Sequence, residues 1–293
     1  MNSNLKVVVL GAGGRLGAAL AREYAASCVV TGFNHAQLDL AQLENLRAAL
    51  ASRHFDVLIN AAALTNVDYC EDHRAEARRV NAEAPRILAE ICREKQARFI
   101  HVSTDYVFDG EKRLPYAEED AASAISVYGE SKRAGELLIL ETYERALVIR
   151  VSWVFGPDRP SFVDAILERA RSEEKVAAVA DKFSTPTYTL DIARLLRPLL
   201  EENATGGLIH LANRGACSWQ EYAQWALDCS RRYGAPMKAK TVAALSLGQM
   251  KNFVARRPVY TVLATEKYQR LTGHAPRDWH DAVSEYVRDH YRP

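Results

Sequence analysis

Short apolar runs alternate with longer amphipathic ones along the first half of the chain. Lys6-Val7-Val8-Val9-Leu10 carries aliphatic residues without a polar break, the mark of a strand buried on both faces. Comparable runs stand at 28–33, 55–59 and 98–102. Between them, segments of helical period cover 15–26, 41–53 and, as one long helix, 72–95. Buried strands separated by amphipathic helices predict an α/β fold of the Rossmann type, a doubly wound parallel sheet. Beyond about residue 150 the alternation loosens. Helical patterns at 161–171, 190–202, 218–233 and 278–291 are interrupted by short apolar runs at 175–180 and 208–212. The expected organisation is a Rossmann domain over 1–150 and a smaller mixed C-terminal lobe over 151–293. Some late segments are expected to return to the first domain, with no clean linker between the two.

Thirty-eight basic and thirty-seven acidic residues among 293 leave a formal net charge of +1. No global field therefore draws the protein to nucleic acid or to an anionic membrane, and any bound polyanion must be held by local groups. The five cysteines are scattered without metal-ligand or redox spacing and read as reduced thiols. No apolar run approaches the roughly 20 residues of a membrane span. Residues 1–6 lead into the first strand without a signal-peptide profile, so a cytoplasmic location is expected. The histidines join no carboxylate cluster at ligand spacing, and no catalytic metal is expected.

The first strand runs into Gly11-Ala12-Gly13-Gly14-Arg15-Leu16-Gly17. Glycines at three-residue intervals between a strand and a helix let the backbone turn tightly and approach a pyrophosphate at the helix N-terminus. This loop, with Arg15 and Leu16 inside it, is the expected dinucleotide site. Asn34 and His35 follow the second strand, where NAD-specific folds carry an acid for the ribose 2′-hydroxyl. No carboxylate stands there to repel a 2′-phosphate, so NADPH is permitted and NADH remains open. Ala61, Ala62 and Ala63 are small enough for a flat cofactor to lie against the backbone. Thr65 and Val67 lie just beyond them, at the carboxyl edge where open α/β sheets bind ligands.

Ser126-Val127-Tyr128-Gly129-Glu130-Ser131-Lys132 places a phenol and an ammonium four residues apart, on one face of a predicted helix. A cation beside a phenol eases proton donation, which carbonyl reduction requires as hydride reaches carbon. The strand ending at Val102 delivers Ser103-Thr104-Asp105-Tyr106. Thr104 is expected to donate to a carbonyl oxygen alongside Tyr128.

With these pieces in place the chain resembles the dTDP-4-dehydrorhamnose reductase family of extended short-chain dehydrogenases. The stretches that carry the likeness are Val9 to Leu16, Ser103 to Gly110, Tyr128 to Lys132, Arg150 to Gly156, Asp181 to Tyr188, Ala255 to Pro258, Leu263 to Lys267 and Asp278 to Tyr286. The most specific is the S-T-D-Y-V-F-D-G run at 103–110. The family's D-Q-x-G-x-P-T-Y loop is altered here at Lys182 and Ser184.

The resemblance implies NAD(P)H-dependent reduction of the C4 keto group of a nucleotide-linked 4-keto-6-deoxy sugar. It implies Thr104, Tyr128 and Lys132 as catalytic residues, and Asp39 and Leu40 near the adenine. It implies sugar-nucleotide contacts from Asp105, Tyr106, Trp153, Lys182 and Arg257. Asn81 falls where the superfamily often carries a structural or relay asparagine. Thr104-Asp105-Tyr106 lacks the glutamate of nucleotide-sugar dehydratases, which favours reduction over dehydration. Some family members form a magnesium-linked dimer through glutamates, one within the glycine-rich loop. Arg15 stands at that position here, which argues against such a bridge, and a monomer or homodimer is expected. Two alternatives stay open at this point: a non-catalytic regulatory subunit resembling the methionine adenosyltransferase β-subunit, and a reductase that makes a different deoxysugar.

Overall fold

A computed structural model describes residues 5–201 and 205–291. The strand β1 (Lys6–Leu10) is paired on one side with β2 (Val29–Phe33) and on the other with β3 (Val57–Asn60). Beyond β3 come β4 (Arg98–Thr104), β5 (Leu147–Val151) and β10 (Gly207–His210), every pair parallel, in the order β10-β5-β4-β3-β1-β2. β3, β4 and β5 are buried almost throughout, as strands covered on both faces require. The switch point, where the chain crosses from one half of the sheet to the other, lies between β1 and β3. The expected Rossmann-type sheet is thus present.

Helices α1 (Arg15–Ala25), α2 (Leu43–Ala51), α5 (Ala84–Glu94) and α6 (Val127–Thr142) connect these strands. Two apolar layers sandwich the sheet, one gathering Val8, Leu46, Leu88 and Phe99, the other Val9, Leu20, Ile149 and Ile192.

The long helix expected at 72–95 runs from Arg74 to Glu94 as α4 (Arg74–Arg78), a π-turn (Arg79–Glu83) and α5, with helical dihedrals at each junction, and the short α3 (Val67–Asp72) precedes it across His73. Asn66 caps α3 through the Tyr69 amide at 3.1 Å. Pro85 in the first turn of α5 has no amide proton for the preceding turn, and the chain accommodates this by the wider π spacing. The extra residue aims Asn81 into the protein, where it is fully buried.

After β5 the chain leaves the sheet through β6 (Val154–Phe155) and α7 (Phe162–Ser172) and makes small two-stranded units. β7 (Val176–Val179) pairs with β12 (Val242–Leu245), β8 (Phe183–Ser184) with β11 (Cys217–Ser218), and β6 with β9 (Thr187–Tyr188). α9 (Trp219–Arg232) and α11 (Trp279–His290) complete a separate core around Phe155, Tyr222 and Trp279. Two late segments return to the first domain: α8 (Thr189–Leu196) packs with β10 on the sheet, and Tyr24 on α1 donates to the Ala193 carbonyl at 2.9 Å. Of the helix expected at 190–202, Glu202 lies outside the described residues, as do residues 1–4.

Candidate active site

A cleft of about 1110 Å³ opens along the carboxyl edge of the sheet at the switch point. Gly11, with φ of +77°, makes the turn out of β1, and a Cβ there would meet the Ala62 backbone at 2.8 Å. Gly14, Arg15 and Leu16 line this end with Ala61, Ala62 and Ala63. Gly14 is the N-cap of α1, no side chain caps that helix, and its first turn holds no acid. Its free amides thus present a positive end to the cleft. Asn34, His35, Asp39 and Leu40 form the outer wall. Gly17 does not reach the cleft. A Cβ there would lie 2.1 Å from the Gly11 carbonyl oxygen, so this glycine serves the close packing of helix on strand.

Arg15 lines the cleft, but its guanidinium is committed elsewhere. It donates to the carbonyls of Val154, Arg159 and Pro160, and so straps the segment after β6 onto the glycine-rich loop. Arg159 returns the contact from Nε to the Gly13 carbonyl at 2.5 Å and lies on the cleft wall next to Asn34 and Gly13. Nothing in the sequence singles out Arg159. It follows a Gly-Pro turn without periodicity, and only docking over 146 residues brings it here.

At the other end stand Thr104, Tyr128 and Lys132, with Asp105, Tyr106, Thr65, Val67 and Trp153. Ser126 caps α6 by accepting from the Gly129 amide at 3.3 Å. Gly129 lets the first turn press onto the turn after β4, since a Cβ would lie 2.2 Å from the Tyr106 carbonyl oxygen. The Thr104 hydroxyl stands beside the Tyr128 phenol and lowers its pKa in part. Thr104 also donates to Asp105 Oδ1 at 3.1 Å and accepts from the Tyr106 amide at 3.2 Å. Asn81 ties the third strand's loop to α6, through both the amide and carbonyl of Leu64 at 2.9 Å and the Ser131 hydroxyl at 3.0 Å.

The electrostatics differ from the sequence expectation. Burial pushes the Tyr128 phenol up and the Thr104 hydroxyl offsets only part of that, so the phenol stays protonated, as an acid must. Lys132 is 1% exposed, and its Nζ lies 2.7 Å from the Val102 carbonyl and 3.0 Å from His101 Nε2. Burial lowers it to about 7 against the pull of Glu136.

Lys182 and Arg257 do not line the cleft. Lys182 is fully buried, donates to the Pro258 carbonyl at 2.6 Å, and lies 5.0 Å from the Tyr106 ring centre and 5.8 Å from that of Trp153. It is a prop behind the Tyr128 end of the cleft. Arg257 grips both Asp68 oxygens at 2.9 and 2.6 Å, and Asp68 also accepts from the amides of Val254 and Ala255. The pair closes the segment 253–258 over α3. Asp105 lines the cleft yet is 2% exposed, with one oxygen taken by Ser184 at 3.0 Å and Thr261 at 2.5 Å. Trp153 holds a strained φ of +36°, and its Nε1 is buried with no partner among the described residues.

An anion seat at one end and a protonated phenol at the other suit a cleft that passes hydride from a nucleotide to a carbonyl, the chemistry of a short-chain dehydrogenase/reductase. The family model for the RmlD substrate binding domain matches residues 5–292, and the chain belongs to that family. A dTDP-4-dehydrorhamnose reductase of Burkholderia thailandensis is 35% identical over 97% of this chain and 99% of the relative. A probable dTDP-4,6-dihydroxy-2-methyloxan-3-one 4-ketoreductase of Streptomyces antibioticus is 35% identical over 97% and 95%. The crystal structure of dTDP-4-dehydrorhamnose reductase from Bacillus anthracis, in complex with NADP, superposes with a TM-score of 0.91 at 27% identity, covering 98% of this chain and 99% of that one.

Proposed function

We propose that the protein reduces the C4 keto group of a dTDP-linked 4-keto-6-deoxy sugar, dTDP-4-dehydro-L-rhamnose to dTDP-L-rhamnose, with NADPH or NADH. The observation that carries this reading is the Tyr128 phenol, kept protonated by burial and standing beside Thr104, at the sugar end of a glycine-lined cleft. The cleft fits the cofactor: the uncapped amides of α1 suit a pyrophosphate, and the alanines at 61–63 leave room for a flat ring. When bound, the nicotinamide supplies the hydride.

The protein's residues do the rest. Tyr128 gives its proton to the sugar oxygen, Thr104 stands beside the phenol, and Lys132 sits one turn along α6 on the cleft wall. Trp153 offers its unpartnered indole N–H to the sugar. Arg159 beside Gly13 and Asn34 supports a preference for NADPH, since that is where the ribose 2′-oxygen lies in Rossmann folds.

Mixing the protein with dTDP-4-dehydro-6-deoxy-L-mannose and NADPH tests the reading. Nicotinamide absorbance should fall, and Tyr128→Phe should remove most turnover while cofactor affinity stays within about twofold. Retained turnover in that variant sinks the assignment. The 4-ketoreductase relative keeps a second sugar in view, and offering both ketosugars in competition decides between them. Among the described residues no helix is long and apolar enough to cross a membrane. Arg15, at the loop position where some family members carry a bridging glutamate, turns onto backbone carbonyls.

A further inference from the structure

A hydrogen-bond chain behind the cleft fixes more than the position of Lys132. Asn60 and His101 are both fully buried, on adjacent strands. The Ala62 amide can only donate, and it lies 3.1 Å from Asn60 Oδ1, which fixes the orientation of the asparagine amide. Asn60 Nδ2 therefore points at His101 Nδ1, 3.1 Å away, and donates to it. A ring nitrogen that accepts carries no proton, so the proton of the neutral imidazole sits on Nε2. That nitrogen lies 3.0 Å from Lys132 Nζ. Flipping the ring by half a turn would set carbon atoms against both partners and lose both bonds.

Two donors cannot share one hydrogen bond. An ammonium at Lys132 would set N–H against N–H, whereas an amine offers a lone pair to Nε2–H and still donates to the Val102 carbonyl at 2.7 Å. We propose that His101 is a positioning residue for Lys132: its Nε2–H donates to the lysine lone pair and holds it as a neutral amine in the free protein. Other groups do not overturn this. Tyr128, one turn back on α6, is uncharged, and Asn60 is a neutral amide bonded to Ala62 and His101. Glu136, one turn forward, is the carboxylate that acts on the lysine, and it is bound by Arg150, Ser103 and Arg133. Burial acts in the same direction, lowering Lys132 to about 7 and His101 well below its usual range. The proton that Lys132 acquires beside an anionic cofactor must then come from solvent.

The inference rests on the proposed function only in taking NADPH as the ligand, and its tests need no sugar turnover. In the wild-type full chain, NADPH affinity should fall about tenfold per pH unit above pH ~7, because the complex binds a proton that the free protein lacks. His101→Phe removes the donor and keeps the bulk, and should move that break upward by at least about one unit. A break that stays put, or a wild-type affinity flat from pH 7 to 9, overturns the proposal. Nitrogen-15 histidine spectra of the wild type need no variant: His101 should show a protonated Nε2 and a bare Nδ1. The opposite tautomer, or a doubly protonated ring, rejects it. Loss of ketosugar reduction with both signatures intact would instead count against the proposed function alone.

Discussion

Replacing Glu136 with glutamine should show that the catalytic helix is held by charge as much as by packing. Glu136 projects from α6 into the interior at 0% exposure and meets Arg150 of β5 at 1%. Its oxygens accept from Arg150 at 2.8 and 2.7 Å, from Ser103 at 2.6 Å and from Arg133 at 2.9 Å. Glu136→Gln keeps the shape, removes the charge and leaves a guanidinium buried without its anion. Breaking one side of such a pair costs about 3–5 kcal/mol. In a chain of this size that lowers Tm by roughly 6–10 °C.

Burial alone would push the Glu136 carboxyl up, but Arg150, Ser103 and Arg133 together outweigh it and leave the group below its usual value. Its contribution is therefore present above the unfolded value and is lost as pH falls through the folded one. Calorimetry at pH 7 and between pH 5 and 3 should find the variant less stable at neutrality, with a gap that narrows in acid. A variant melting within about 2 °C of wild type, with the same acid slope, would refute the reasoning.

Arg159→Ala should raise the KM for NADPH roughly tenfold, the loss of one charge-assisted bond of about 1.5 kcal/mol, and leave that for NADH within about twofold. Equal effects on both cofactors would remove Arg159 from the 2′-phosphate. Gly129→Ala would ordinarily steady a helix. Here the added Cβ meets the Tyr106 carbonyl at 2.2 Å, so a destabilisation of about 1–3 kcal/mol and a fall in kcat are expected by thermal melting and steady-state assay. A more stable variant would show that the contact yields without cost.

Local pattern settled the strands, the helices between them, the glycine turn and the placing of Tyr128 and Lys132 on one face, because unbroken apolar runs, a helical period of 3.6 and the spacing of glycines are all written within short stretches of the chain. The lone histidine in the apolar run 98–102 was also visible, though not its use. Other features came only with packing. A π-turn inside the expected helix turns Asn81 inward. Lys182 and Arg257 carry charges that look available until Pro258 and Asp68 claim them. β10 joins a sheet whose other strands ended 56 residues earlier. Arg159 reaches the glycine loop, and His101 decides the charge of the lysine beside it, through partners remote in sequence. A side chain's direction and protonation depend on what other elements press against it, and that is information a linear pattern does not contain.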